Sequence, residues 1–233
     1  AIQRERYETD FAVRSKSAAI DLVTEVDVAC ERLLVETLHE ERPDDAILAE
    51  EGSGDDREGA TWRWVIDPLD GTKEFIAGRD EFTVNIALIT NAMPALGVIY
   101  LPAQDCIYWG QTGKGAFKAY GNQNPIQIHT RPTPTRGATV VGSRSHSNTQ
   151  TEEWLAEQKI VSFQPAGSSL KFCKVAEGSA DLYPRFGRTM EWDIAAGHAI
   201  LLAAGGRVET IAGAPLTYGK PHFENPHFLA RGS

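Results

Sequence analysis

The stretch on which the reading of this chain turns is Trp64-Val65-Ile66-Asp67-Pro68-Leu69-Asp70-Gly71-Thr72-Lys73-Glu74-Phe75, WVIDPLDGTKEF. Trp64 to Ile66 is a short apolar run of the kind a buried strand uses, and two carboxylates emerge directly at its end. Pro68 fixes φ and removes an N–H donor, and Gly71 allows a turn that brings backbone close to a ligand, so Asp67 and Asp70 can converge on one point. Two negative charges held together repel unless a cation sits between them, and a hard divalent ion with oxygen ligands, Mg²⁺ above all, is the simplest neutraliser. A helix turn opening after Gly71 would set the N–H groups of Gly71 and Thr72 beside that ion as a seat for a phosphate oxygen. Taken alone, Asp-Pro and Asp-Gly are ordinary turn formers, so the partners elsewhere in the chain decide between a surface turn and a site.

Upstream, Thr24 stands three positions before Asp27, a capping-box pattern. Val26, Cys30, Leu33, Leu34 and Leu38 then recur at helical spacing up to Pro43. Asp27 in the first turn is either part of that cap or a carboxylate facing a site. Ala46 to Ala49 reads as a buried strand ending in Glu50-Glu51. Adjacent residues of an extended chain point to opposite sides, so only one of the pair enters a given site; Glu50 is the choice, with Glu51 turned toward solvent or a basic group.

Downstream, strands are expected over residues 82–89, 95–101 and 107–110 as an antiparallel meander, with a turn at Gly113-Lys114-Gly115. Residues 120–137, rich in Asn, Pro, Thr and Gly, suit a boundary between two lobes, 1–130 and 131–233, of one compact unit. Ala138 to Gly142 reads as a strand delivering Ser143-Arg144-Ser145-His146, which suits either a phosphate or ribose contact or a solvated turn. Gly167-Ser168-Ser169 opens a helix with Lys171 one turn in, either an anion seat or simple Ser capping. Asp181 to Pro184 reads as a strand followed by Arg185. Glu191 to His198 opens a long apolar helix ending at Gly205-Gly206, with Asp193 as an N-cap or a further carboxylate for the metal. Its small-residue start allows close approach to another backbone.

Over 233 residues, acidic side chains outnumber basic ones 32 to 23, a net charge of −9 that argues against non-specific nucleic-acid binding. Against that field an anionic substrate needs local cations and bound metal. Cys30, Cys106 and Cys173 show neither a disulfide framework nor zinc spacing, which fits a reducing cytosol, with the inner membrane face as an alternative location. No apolar run reaches the length of a membrane span, Ala1 to Phe11 is too polar for a signal peptide, and the missing initiator Met leads us to expect a start further upstream.

Two blocks, DPLDGTKEF from Asp67 to Phe75 and WDIAAG from Trp192 to Gly197, resemble the signature pair of the inositol monophosphatase superfamily of Mg²⁺-dependent, lithium-sensitive phosphatases. EFTVNIAL (Glu81 to Leu88), SRSH (Ser143 to His146), GSSLKFC (Gly167 to Cys173) and LYPRFG (Leu182 to Gly187) are similar to its CysQ branch, the 3′(2′),5′-bisphosphate nucleotidases. KSAAIDLVTEVD and ILAEEGSG resemble inositol monophosphatases as much. The resemblance implies an α+β fold, an alternating αβαβα layered sandwich of the inositol monophosphatase and fructose-bisphosphatase kind. It implies two or three Mg²⁺ held by Glu50, Asp67, Asp70, Asp193 and the carbonyl of Leu69. Gly71 and Thr72 would hold the scissile phosphate, with Thr72 positioning water alongside Asp27 or Glu50. His146, Ser168, Lys171 and Arg185 would hold the second phosphate of a bisphosphate nucleotide, with Asp193 also beside the substrate.

Two enzyme alternatives and one non-enzyme alternative stand beside this expectation. A haloacid-dehalogenase-type phosphatase uses DxDGT and an aspartyl nucleophile, whereas here two residues separate the acids. Inositol phosphate or another small phosphomonoester could replace the nucleotide on the same fold. A non-catalytic nucleotide sensor would have no use for all the acids the chemistry needs.

Overall fold

The computed structural model describes residues 2–7, 9, 12–15, 22–143 and 149–233. Its elements run α1 (Ile2–Arg6), β1 (Val13–Ser15), β2 (Leu22–Thr24), α2 (Glu25–Glu41), β3 (Ala46–Ala49), β4 (Trp62–Asp70), α3 (Thr72–Ile76), β5 (Thr83–Thr90), β6 (Met93–Leu101), β7 (Cys106–Gln111), β8 (Gly115–Tyr120) and β9 (Ile126–Ile128). Then follow β10 (Ala138–Gly142), α4 (Thr149–Ala156), β11 (Ile160–Pro165), α5 (Leu170–Ala176), β12 (Leu182–Arg185), α6 (Glu191–Ala203), β13 (Arg207–Thr210) and β14 (Phe228–Arg231).

Strands β3 to β9 form one sheet in chain order, parallel between β3 and β4 and antiparallel beyond, so the expected three-strand meander extends to six strands. The second sheet has the order β11-β10-β12-β14-β13. Period-two alternation sorts β3 and β4 between two cores. Ile47, Ala49 and Ile66 meet Val35 of α2 on one face, while Leu48 and Val65 join the main core on the other. There α6 lies across β4 to β8, α5 packs on α6, and α5 also touches β10, β12 and β14. Helices, sheet, helices, sheet and the outer α4 give the expected αβαβα layering.

The small residues of the interior set its spacing. A Cβ on Gly97 of β6 would lie 2.3 Å from the carbonyl oxygen of Ala196 in α6, and one on Gly197 would lie 2.4 Å from the Phe172 ring. Both are far inside contact distance, so α6 meets β6 backbone to backbone and seats the Phe172 ring of α5 directly on its own backbone.

Sequence reading and structure part at the opening motif. A short strand and a turn were expected; β4 instead runs on through Asp70. Asp67 pairs with Asn85 and Asp70 with Thr83, so Pro68 and Leu69 together oppose the single residue Val84 in a β-bulge. A proline fits there because a bulged position owes no N–H to the ladder. The extra residue matters: on a regular strand positions three apart face opposite ways, and the bulge turns Asp67 and Asp70 to the same side. Gly71 follows with φ +90°, a left-handed conformation that suits glycine, and caps α3.

Candidate active site

The C-terminal ends of β3 and β4, the start of α6 and the turn before α5 border one cleft of about 510 Å³, lined among others by Glu50, Asp70, Thr72, Lys171, Arg185 and Asp193. Asp67 lies beneath it with almost no exposure. Glu50 enters the cleft, whereas Glu51 gives its backbone N–H to Glu31 at 2.6 Å.

Four carboxylates from two elements, β4 and α6, and from the end of β3 are therefore neighbours. Burial pushes the Asp67 carboxyl well above its usual range, and repulsion from Glu50, Asp70 and Asp193 adds to it. Asp193 is pushed up to about 8 by burial and by Asp70, although the Met190 N–H opposes the shift by donating to Oδ2 at 2.7 Å. Asp193 thus serves as both the capping acid of α6 and a wall of the cleft. Asp70 rises to about 6 through burial; Lys171, the Asn85 amide (3.3 Å) and the Ser169 N–H (2.6 Å) hold it from rising further. Among the described residues, no three His, Cys, Asp or Glu side chains already close around one point as a metal cage. The donor set, carboxylate oxygens with the carbonyl of Leu69 beside them, is nonetheless the hard-oxygen chemistry that Mg²⁺ takes, and buried like charges are what such an ion relieves.

Asp27 and Thr72 meet at the edge of this cluster. The Thr72 hydroxyl lies 3.2 Å from Asp27 Oδ1 and 3.3 Å from the carbonyl of Leu69. Thr24 fixes the other carboxylate oxygen of Asp27, with its backbone N–H at 2.8 Å and its hydroxyl also donating. The capping box is thus present and Asp27 also faces Thr72, so the two roles expected for Asp27 coincide. Burial raises its pKa, and the hydrogen bonds from Thr24 and Thr72 counter the rise.

Across the cleft stands a basic wall. Lys171 is buried, its Nζ donating to the carbonyl of Ser168 at 2.5 Å and lying 5.4 Å from the centre of the Tyr183 ring. Burial lowers it to about 8, while Asp70 pulls the other way. The Arg185 guanidinium donates to the carbonyl of Arg188 at 3.1 Å, and Arg188 itself lines the cleft. Simple Ser capping is not what the start of α5 shows: Ser169 makes no side-chain cap bond, and Ser168 gives its hydroxyl to the carbonyl of Glu81 at 2.6 Å. Gly71, Thr72 and Ser168 all line the cleft; His146 lies outside the described residues.

Sequence reasoning missed three supporting side chains. Thr83 and Asn85 are buried polar residues on the inward side of an apolar strand, and only their interruption of the apolar alternation marks them. Gln3 of α1 donates to the carbonyl of Pro68 at 3.0 Å, bracing the bulge from behind.

The fold and this acid-lined cleft define a phosphatase-like class, and comparison places the chain in it. The model of the inositol monophosphatase family matches residues 1–229, and the chain belongs to that family. Within it, the chain is 43% identical over 209 residues to the 3′(2′),5′-bisphosphate nucleotidase CysQ of Escherichia coli strain K12, covering 88% of this chain and 83% of that protein. The crystal structure of CysQ from Bacteroides thetaiotaomicron superposes with a TM-score of 0.77 at 39% identity, covering 87% of this chain and 83% of that one. An inositol monophosphatase of Thermotoga maritima gives a TM-score of 0.81 at 27% identity, over 99% of this chain and 86% of that one. Among the described residues, no helix is long and apolar enough to cross a membrane.

Proposed function

We propose that this chain is a 3′(2′),5′-bisphosphate nucleotidase, a metal-dependent phosphomonoesterase that removes the 3′-phosphate of adenosine 3′,5′-bisphosphate. The observation that carries the chemistry is the opposition, across one cleft, of a buried acid cluster with raised pKa values and a basic wall of Lys171 and Arg185. The substrate follows from the 43% identity to the Escherichia coli nucleotidase.

Glu50, Asp67, Asp70, Asp193 and the Leu69 carbonyl would hold the Mg²⁺ ions, two or three in number. Bound there, Mg²⁺ supplies a lowered pKa for water and charge neutralisation at the phosphate and the leaving oxygen. The chain's own groups do the positioning. By donating its proton to Asp27, Thr72 leaves a lone pair free to accept from a water, and Thr24 holds Asp27 so that this orientation persists. Gly71 and Thr72 seat the scissile phosphate; Ser168, Lys171, Arg185 and His146 take the second phosphate, where charge-assisted hydrogen bonds are strongest. The attack is direct, with no phosphoenzyme.

Phosphate release from adenosine 3′,5′-bisphosphate and from inositol 1-phosphate, each with Mg²⁺, with EDTA and with Li⁺, tests the reading. Faster Mg²⁺-dependent release from the bisphosphate, abolished by EDTA and inhibited by Li⁺, is expected. Preference for inositol 1-phosphate overturns the substrate, and release unaffected by EDTA overturns the metal chemistry.

A further inference from the structure

Between the acid cluster and the turn before α5 lies a closed ring of buried hydrogen bonds. Asn85 donates through Nδ2 to Asp70 Oδ2 at 3.3 Å, and its Oδ1 accepts from the Ser169 hydroxyl at 2.6 Å. The Ser169 backbone N–H donates to the same Asp70 oxygen at 2.6 Å, which completes the ring. Thr83 adds its hydroxyl at 2.9 Å from that of Ser169 and 3.1 Å from Asn85 Oδ1. Thr83, Asn85 and Ser169 are each at most 2% exposed. The orientation of the amide is forced: an ionised carboxylate only accepts, so the Asn85 NH₂ must face Asp70 and its carbonyl must face the hydroxyl.

This arrangement treats the two oxygens of Asp70 unequally. Oδ2 takes both donors, one from β5 and one from the start of α5, and Oδ1 is left to the cleft that Asp70 lines. The same ring pins the turn Gly167-Ser168-Ser169, which Glu81 also grips through the Gly167 N–H at 2.9 Å. Ser168 sits in that turn with φ +38°, a conformation that a non-glycine residue keeps only when its surroundings hold it.

We propose that Asn85 is a positioning residue that, with Ser169, commits Oδ2 of Asp70 to the protein and presents Oδ1 to a cation. Through the same bonds it couples cation binding at Asp70 to the 167–169 turn on the phosphate side of the cleft. The inference rests on the cation site proposed above. A buried Asn that merely satisfies the core would lower stability when removed and leave ion affinity untouched. A positioning Asn moves the affinity itself, and by linkage the mutual effect of cation and anion.

The test is calorimetric titration of the full chain with MgCl₂ alone, and again with saturating inorganic phosphate. Asn85→Leu should weaken Mg²⁺ binding by about tenfold, the lower end of what outer partners of a metal ligand contribute. The factor by which phosphate tightens Mg²⁺ binding should shrink toward one. Ser169→Ala, which keeps the backbone N–H and loses only the hydroxyl link, should weaken binding by about threefold, the equivalent of part of one hydrogen bond, and Ser169→Thr should restore it. Should Asn85→Leu not fold, the Ser169 pair decides alone. Wild-type affinity and wild-type coupling in Asn85→Leu or Ser169→Ala, with a lowered urea midpoint only, overturns the proposal. Absence of Mg²⁺ binding by the wild type would instead overturn the cation site on which it rests.

Discussion

Two sets of buried carboxylates occupy this molecule, and they are held in opposite ways. Glu177, at the end of α5, accepts from the Tyr108 hydroxyl, the Lys118 ammonium and the Ser179 hydroxyl at 2.9, 2.8 and 2.9 Å. Burial raises its pKa, but these partners more than offset that and leave it lowered. Asp181 likewise takes Arg131 through both oxygens and the Thr139 N–H, and Glu191 takes Lys220 together with two backbone N–H groups. Asp67 is as deeply buried and Asp70 and Asp193 are partly buried in the cleft wall, but these acids repel one another and Glu50, and each is pushed up. Acids that the fold needs for itself come with a paired cation; acids kept against the fold's interest face each other across a cleft. Burial and neutral donors do not distinguish the two, since Asp70 and Asp193 also accept backbone N–H groups; a cation paired directly with the carboxylate in the first set, against repulsion from neighbouring carboxylates in the second, does.

The largest expected break in this comparison is Asp70→Asn. It removes a destabilising charge, so the urea midpoint should hold or rise while phosphate release drops by at least about a thousandfold, as when a member of a concerted site is lost. An active Asp70→Asn protein would move Asp70 to the first set. Next in size, Glu177→Leu strands Lys118 in a half-buried position and should cost about 3 kcal/mol in urea unfolding, the usual cost of breaking such a pair. The kcat of the folded fraction should not change; a fall in kcat would mean that the first set also serves the cleft.

Smaller again is Thr72→Val, which leaves Asp27 capped by Thr24 but takes away the hydroxyl. It should lower kcat by about a hundredfold with little change in KM, the lower range for a proton-handling group. The mildest prediction carries the comparison to a buried base. His198, against the Tyr218 hydroxyl at 3.0 Å, is lowered to about 3 by burial, with Lys220 adding to the effect. Its folded pKa lies below the unfolded value, so the unfolded chain binds the extra proton first and stability falls as pH drops from about 6.5 toward 3. Between pH 7 and pH 5 that amounts to roughly 2 kcal/mol. Urea midpoints at the two pH values should converge in His198→Gln, which keeps an acceptor for Tyr218 and cannot titrate.

Most of the fold was legible because it is written in periodicity. The alternation of β5 to β7, the Thr24 cap and the apolar run of α6 sit within a residue or two of where pattern placed them. The acids of the cleft were legible because they stand where an apolar run begins or ends: Glu50 and Asp67 after one, Asp193 at the head of another. The bulge was not: Asp-Pro and Asp-Gly carry the same local signal whether the chain turns or stays extended, and only pairing with Asn85 and Thr83 decides. Glu31 shows the same limit. On a helical wheel it is one more charge of an amphipathic α2, yet its carboxylate is buried and receives the N–H groups of Glu51 and Ser53 and the Ser53 hydroxyl. Long-range donors leave no mark in a local window.

The seat of α6 on β6 has a consequence for tolerance to change. With Gly97 in backbone contact beneath Ala196, helix and sheet sit too close for even one methyl group, and the absent side chain works as a shim left out. Asp193 rides on the same rigid rod, a turn from that contact. Inserting a shim, as Gly97→Ala would, tilts the rod and carries one jaw of the vice away from the other, so a mutation deep in the interior would be felt first as a loosened grip.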